Sequence, residues 1–137
     1  MILLINTVVK DRLLLGLAKN DKLIDRWGVE VGCHQAEKLL PMIDKILKKH
    51  KVSLKQLKGI VVAAGPGGFT SARLGVLTAN TLSYSLKIPT VGIKLDGPAE
   101  TLEESFLAAA KRLKNKKGFN LVRPYYGSEP NITKPKK

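Results

Sequence analysis

An unbroken apolar run at residues 60–64 that ends in Gly65-Pro66-Gly67-Gly68 leaves this chain few ways to fold. A strand that is apolar at successive positions is covered on both faces, which is the habit of a parallel sheet. The glycine–proline cluster neither extends a strand nor sits inside a helix, so the backbone must turn there. Thr70 or Ser71 then supplies an N-cap for a helix expected to run to about Leu86. Pro89 closes the connection, and residues 90–93 read as a second buried strand. Strand, crossover helix and strand make a βαβ unit, and hence a parallel pair.

Upstream, residues 1–9, 12–18 and 22–31 read as three strands separated by Lys10-Asp11 and Asn20-Asp21. Connections this short join antiparallel neighbours, and Asn-Asp is a favourable turn pair. An amphipathic helix is expected over 34–49, with Ala36, Leu39, Leu40, Ile43, Ile46 and Leu47 along one stripe and Pro41 weakening its first turns. Ser53-Leu54-Lys55-Gln56 and Thr101-Leu102-Glu103-Glu104 both have the form of capping boxes. The first opens a short helical turn, the second a helix to about Leu113 with Leu102, Phe106, Ala109 and Leu113 on its apolar stripe. Residues 120–126 allow one more strand, and 127–137 read as a loose tail. The order predicts an α/β fold: a mixed sheet, antiparallel meander plus parallel βα units, with packed helices.

Residues 1–9 are apolar, but no basic segment precedes them and no small-residue cleavage site follows. A first strand is therefore expected rather than a signal peptide or a membrane span. Cys33 is the one cysteine, which permits no internal disulfide and no cysteine metal cluster and suits a reducing, cytoplasmic compartment.

Charge narrows the partners. The formal net charge is +13, and no Asp or Glu occurs between Lys45 and Leu95. Such a field attracts a polyanion, RNA above all. Of the 24 basic residues 19 are lysine, whereas bidentate base readout favours arginine. The charge thus argues for proximity to RNA rather than for reading its sequence.

Few residues have the look of catalysis. His34 and Glu37 lie one helical turn apart, too few for a metal site, and no nucleophile–base spacing is present. Asn6-Thr7 follows the first strand, where an Asp would be the natural partner of a metal or a phosphate; an amide is no general base. The turn Gly65, Pro66, Gly67, Gly68, Phe69, Thr70 has two readings. Its free N–H groups and the helix dipole suit a phosphate, with Arg73 as the assisting cation. It lacks the Lys-Ser/Thr ending of a P-loop, however, and a tight turn with close backbone packing is the better explanation of its glycines. In the following helix Gly75, Ala79 and Ser83 form a small-residue line flanked by Leu74, Leu77, Thr78 and Leu82. Packing on the chain's own sheet would use one face, but Leu74, Val76, Leu77 and Leu82 lie around more than one, so an exposed apolar patch used for association is expected.

Taken together these residues resemble the TsaB family, the dimerisation subunit of the bacterial complex that makes threonylcarbamoyladenosine in tRNA. The resemblance is carried by Met1-Ile2-Leu3-Leu4-Ile5-Asn6-Thr7, by His34-Gln35-Ala36-Glu37-Lys38-Leu39-Leu40-Pro41, by Gly65 to Thr70, by Arg73-Leu74-Gly75 and by Ile88-Pro89-Thr90-Val91-Gly92. It implies one ribonuclease-H-like lobe of the actin-like ATPase superfamily over 1–95. Residues 96–118 then form a helix replacing most of the usual second lobe, and 119–137 a closing strand and basic tail. It implies a non-catalytic scaffold that pairs with and activates a TsaD-type subunit, with no cofactor of its own. It also implies a TsaE-type ATPase as a further partner, ATP or ADP near the subunit interface, tRNA reached through the complex, and a homodimer when alone. On the helices the implied interface comprises His34, Glu37, Leu40, Leu74, Gly75, Thr78, Ala79 and Leu82. The rival reading is a small nucleotide- or RNA-binding protein that uses the Gly65–Thr70 turn and its lysine-rich surface.

Overall fold

The computed structural model describes residues 1–9, 11–65, 69–94, 102–116 and 118–124. Short turns settle the first half of the sheet. β1 (Ile2–Asn6), β2 (Arg12–Lys19) and β3 (Lys22–Glu30) form the expected meander, β1 with β2 and β2 with β3 antiparallel. Lys19 faces Lys22 across the hairpin, and Asn20 and Asp21 between them have φ of 54° and 65°. Positive φ at both central residues matches the right-handed twist of the flanking strands, and Asn and Asp tolerate it best after glycine.

α1 (Gln35–Lys49) runs unbroken through Pro41 and leads, by a 3-10 turn at Leu54–Gln56, into β4 (Gly59–Gly65). The expected capping box forms, with the Ser53 N–H donating to Oε1 of Gln56 at 2.7 Å. α2 (Phe69–Leu86) crosses over to β5 (Thr90–Lys94), and α3 (Leu102–Arg112) follows. β4 pairs in parallel with both β1 and β5, giving the strand order β3-β2-β1-β4-β5.

Side-chain alternation splits the core in two. Leu3, Ile5, Ile60 and Val62 face α1 and α2, while Leu4, Val61 and Ala63 face the Phe106, Ala109 and Leu113 stripe of α3. With helices on both sides, every residue of β4 is buried, as its continuous apolar run requires. Truncating one such residue, Ile60→Ala for example, costs about 2–5 kcal/mol.

Four expectations change. α2 starts at Phe69, so neither Thr70 nor Ser71 caps it; Ser71 sits in the first turn, where its hydroxyl serves a tertiary bond. On α1, Ala36 and Leu40 are exposed, and Met42 joins Leu39, Ile43, Ile46 and Leu47 in the core. The inward stripe is centred between Leu39 and Ile46, which leaves Ala36 and Leu40 on the flank. Residues 118–124 contain no strand, because the amide side chain of Asn120 takes the place that strand pairing would fill. It accepts from the N–H of Thr90 at 3.0 Å and donates to the carbonyl of Thr90 at 2.8 Å. Finally, the small-residue line of α2 faces inward, as described below. Pro66, Gly67 and Gly68 of the glycine turn, the Thr101 cap and the tail from 125 onward lie outside the described residues.

Candidate partner-binding site

The first turns of α1 and α2 meet above the carboxyl end of β1, and a single side chain ties them together. Gln35 Nε2 donates to three main-chain carbonyls, Thr7 at 3.0 Å, Val9 at 3.3 Å and Arg12 at 2.7 Å. Its Oε1 accepts from Ser71 Oγ at 2.8 Å, and Thr7 Oγ1 donates to the Ser71 carbonyl at 2.6 Å. The amide supplies both donors and an acceptor at one point, and so gathers carbonyls of the β1–β2 connection and of the first residue of β2.

A groove of about 510 Å³ opens beside this network. Gln35 and Ala36 form one wall, Thr70, Arg73, Leu74 and Leu77 the other, and Val122 and Pro124 close the far end. Asn80 holds that closing segment: it donates to the carbonyl of Val122 at 2.9 Å and accepts from the N–H of Val122 at 3.0 Å. Thr70 and Arg73, expected at a phosphate turn, therefore line a mostly apolar groove between helices.

The expected interface residues divide. Leu40 is 58% exposed, and Leu74, Thr78 and Leu82 are half-buried on the flanks of α2. Gly75 and Ala79 do not belong to an outward surface. A Cβ built on Gly75 would lie 2.6 Å from Thr7 Oγ1, Ala79 is fully buried, and the buried Ser83 donates to the carbonyl of Ile88. The small-residue line lets α2 approach the chain's own sheet closely; a larger residue at 75 would displace β1. The outward face of α2 is carried instead by Leu77, 65% exposed, and Tyr84, 67% exposed, seven residues on and so on the same side. Tyr84 meets the ring of Phe119 edge-on, with centroids 5.4 Å apart.

His34 and Glu37 pair on the surface, Nδ1 of His34 donating to Oε1 of Glu37 at 2.6 Å. That hydrogen bond, followed by the nearby charge of the imidazole, holds the Glu37 carboxyl below its ordinary range. Among the described residues no group of three His, Cys, Asp or Glu is placed to hold a metal ion. No helix among them is long and apolar enough to cross a membrane. Gln35 and Asn80 are the residues that reading the sequence missed. Leu77, expected beside the small-residue line, carries the outward face with Tyr84 seven residues on.

Comparison with known proteins agrees with this architecture. The family model described as TsaD, tRNA N6-adenosine threonylcarbamoyltransferase, matches residues 30–117. A Buchnera aphidicola (Schizaphis graminum) protein named tRNA threonylcarbamoyladenosine biosynthesis protein TsaB is 48% identical over 56 residues, 41% of this chain and 27% of the relative. The Bacillus subtilis protein of the same name is 32% identical over 75 residues, 55% of this chain and 33% of the relative. The matched stretches thus span about a quarter to a third of those relatives. Among solved structures, YeaZ from Pseudomonas aeruginosa superposes with a TM-score of 0.63 at 22% identity, covering 68% of this chain and 43% of YeaZ. The five-stranded mixed sheet flanked by α1, α2 and α3 therefore shares the fold of YeaZ, an α/β fold as predicted. With a family model matched through more than half of its residues, this chain belongs to the TsaD threonylcarbamoyltransferase family and is similar, within it, to the proteins named TsaB.

Proposed function

We propose that the chain is a non-catalytic subunit in the synthesis of threonylcarbamoyladenosine on tRNA, docking a TsaD-type catalytic subunit through the outer faces of α1 and α2. One observation carries the reading: Leu77 lines a preformed groove between α1 and α2 and is 65% exposed, and Leu40 and Tyr84, also large and more than half exposed, extend the outer faces of the same two helices. Exposed apolar residues gathered on adjoining helices mark association surfaces. The non-catalytic part is supported by Asn6, which offers an amide at the end of β1 where proton transfer would need a carboxylate. Within this proposal a TsaE-type ATPase and ATP or ADP join at or near the same interface, tRNA is reached through the assembly, and the free chain self-associates by the face its partner would cover.

Co-expression with the TsaD-type protein of the same organism, followed by size-exclusion chromatography with light scattering, tests the proposal. Co-elution that Leu77→Arg abolishes without lowering the thermal midpoint is the expected result. Separate elution of the two unmodified proteins refutes it.

A further inference from the structure

Every chain reversal at one end of the sheet carries exposed lysine. β1, β4 and β5 start at this end and the β2–β3 hairpin turns there, while α1, α2 and α3 all finish there. Lys19 and Lys22 flank the hairpin, Lys51, Lys55 and Lys58 lie on the way from α1 to β4, and Lys87 follows α2. Lys114 and Lys116 continue the set beyond α3. The Lys58 N–H donates to the Met1 carbonyl, which brings the α1–β4 connection against the first strand. The amino group of Met1 is held below its ordinary range, first by burial and then by the charges of Lys58 and Lys19.

Acidic residues at this end are already engaged: Asp21 by Lys114 at 3.2 Å, Asp44 by Lys48 at 3.0 Å, and Asp25 by His50 and Lys49. Asp11, Glu30 and Glu37 sit at the opposite end, beside the β1–β2 turn and the start of α1. Helix dipoles account for part of the asymmetry, since Lys48 and Lys49 close α1 and Lys111 and Arg112 close α3. They do not account for Lys19, Lys22 and Lys58, which border strands, where net dipoles are small.

We infer that this lysine-bearing end is an RNA-backbone-binding surface, separate from the helix groove. Ammonium groups on flexible stems suit phosphates as point charges, without base readout. The groove lies along the first turn of α1 and residues 70–80 of α2, short of the lysine-bearing ends of both helices, so a protein partner seated in it leaves the RNA surface open. The choice of tRNA as ligand rests on the proposed function; the location of the surface does not.

The test is fluorescence anisotropy of the full chain with unmodified tRNA between 50 and 200 mM KCl. About four or five neutralised phosphates predict a slope near −4 in log K against log salt, and so roughly a 250-fold loss of affinity over that range. Replacing Lys19, Lys22, Lys58 and Lys87 together by Gln is expected to weaken binding at least about ten-fold at 50 mM and to flatten the slope by about 2–4. Lys38→Gln with Lys94→Gln, at the other end, should leave both unchanged, and circular dichroism verifies that each variant is folded. A salt-independent affinity, or an equal loss from the Lys38/Lys94 pair, overturns the inference. So does binding to phosphatidylglycerol vesicles without binding to tRNA. Co-elution with the TsaD-type protein is read separately on the same variants. If it is absent while tRNA binding follows the lysines, the scaffold role fails and the RNA surface stands.

Discussion

Ser71, in the first turn of α2, donates its hydroxyl to Oε1 of Gln35, in the first turn of α1, at 2.8 Å. Because the same glutamine also donates to the carbonyls of Thr7, Val9 and Arg12, this one bond couples two helices to the end of β1 and to the following turn.

Gln35→Ala should therefore cost more than an ordinary surface substitution. It removes the side-chain donor from the Thr7 and Arg12 carbonyls, and from Val9, whose carbonyl keeps the Arg12 N–H, an expected loss of about 2 kcal/mol in urea unfolding. Ser71→Ala should cost about 1 kcal/mol, and the double variant less than the sum, because both remove the same bond. Strict additivity would show that the two helices are held independently.

Gly75→Ala is expected to destabilise by about 1–3 kcal/mol, since the new methyl would lie 2.6 Å from Thr7 Oγ1. Combining it with Thr7→Ala should recover part of the loss by clearing space at that contact. A neutral or stabilising Gly75→Ala in thermal unfolding would contradict the inward orientation of the glycine.

Asp25 on β3 accepts from His50 Nε2 at 2.7 Å, Trp27 Nε1 at 3.0 Å and Lys49 Nζ at 3.1 Å. The His50 hydrogen bond first, against the cost of burial, and then Lys49 and Trp27, hold its carboxyl far below the usual carboxylate range. A carboxyl lowered on folding stabilises fully above its unfolded pKa of about 3.9 and loses that contribution as pH falls toward the folded value. Wild type minus Asp25→Asn stability should accordingly be large at pH 6 and shrink below about pH 4. A difference that stays constant from pH 6 to pH 3 would show that the carboxylate charge is not what ties β3 to α1.

Asn80→Leu should release residues 118–124 while sparing the sheet. Both bonds to Val122 disappear, and the far wall of the groove is lost. Limited chymotrypsin digestion is expected to cut after the exposed Leu121 several-fold faster, with an unchanged far-ultraviolet spectrum. Unaltered cleavage would place the hold on that segment elsewhere, in Asn120.

The sheet was open to reading because its signals are local. A buried apolar run, an Asn-Asp turn and a Ser-x-x-Gln box each act within a few residues, and each formed where expected. The site was not. Gln35 finds its partners 23 to 36 residues away, and in the sequence it is one more polar residue at a helix start. Gly75 and Ala79 were equally suited to a neighbouring protein or to the chain's own sheet, because small residues permit close approach from either side. The arrival of Thr7 beneath α2 decides it, and that follows from β1 pairing with β4, which helical periodicity does not encode.

The Asn120 side chain also has a bearing on aggregation. β5 ends the sheet on one side, and the outward N–H and carbonyl of Thr90 are both taken by that amide. An incoming strand would have to evict Asn120 before zipping onto β5, so cross-chain pairing there meets a covalently tethered competitor. At the other border, β3 leaves its outer backbone to solvent but intersperses Lys22, Asp25, Arg26 and Glu30 among its apolar residues. One edge is guarded by occupancy and the other by charge, and a crowded cell tests both.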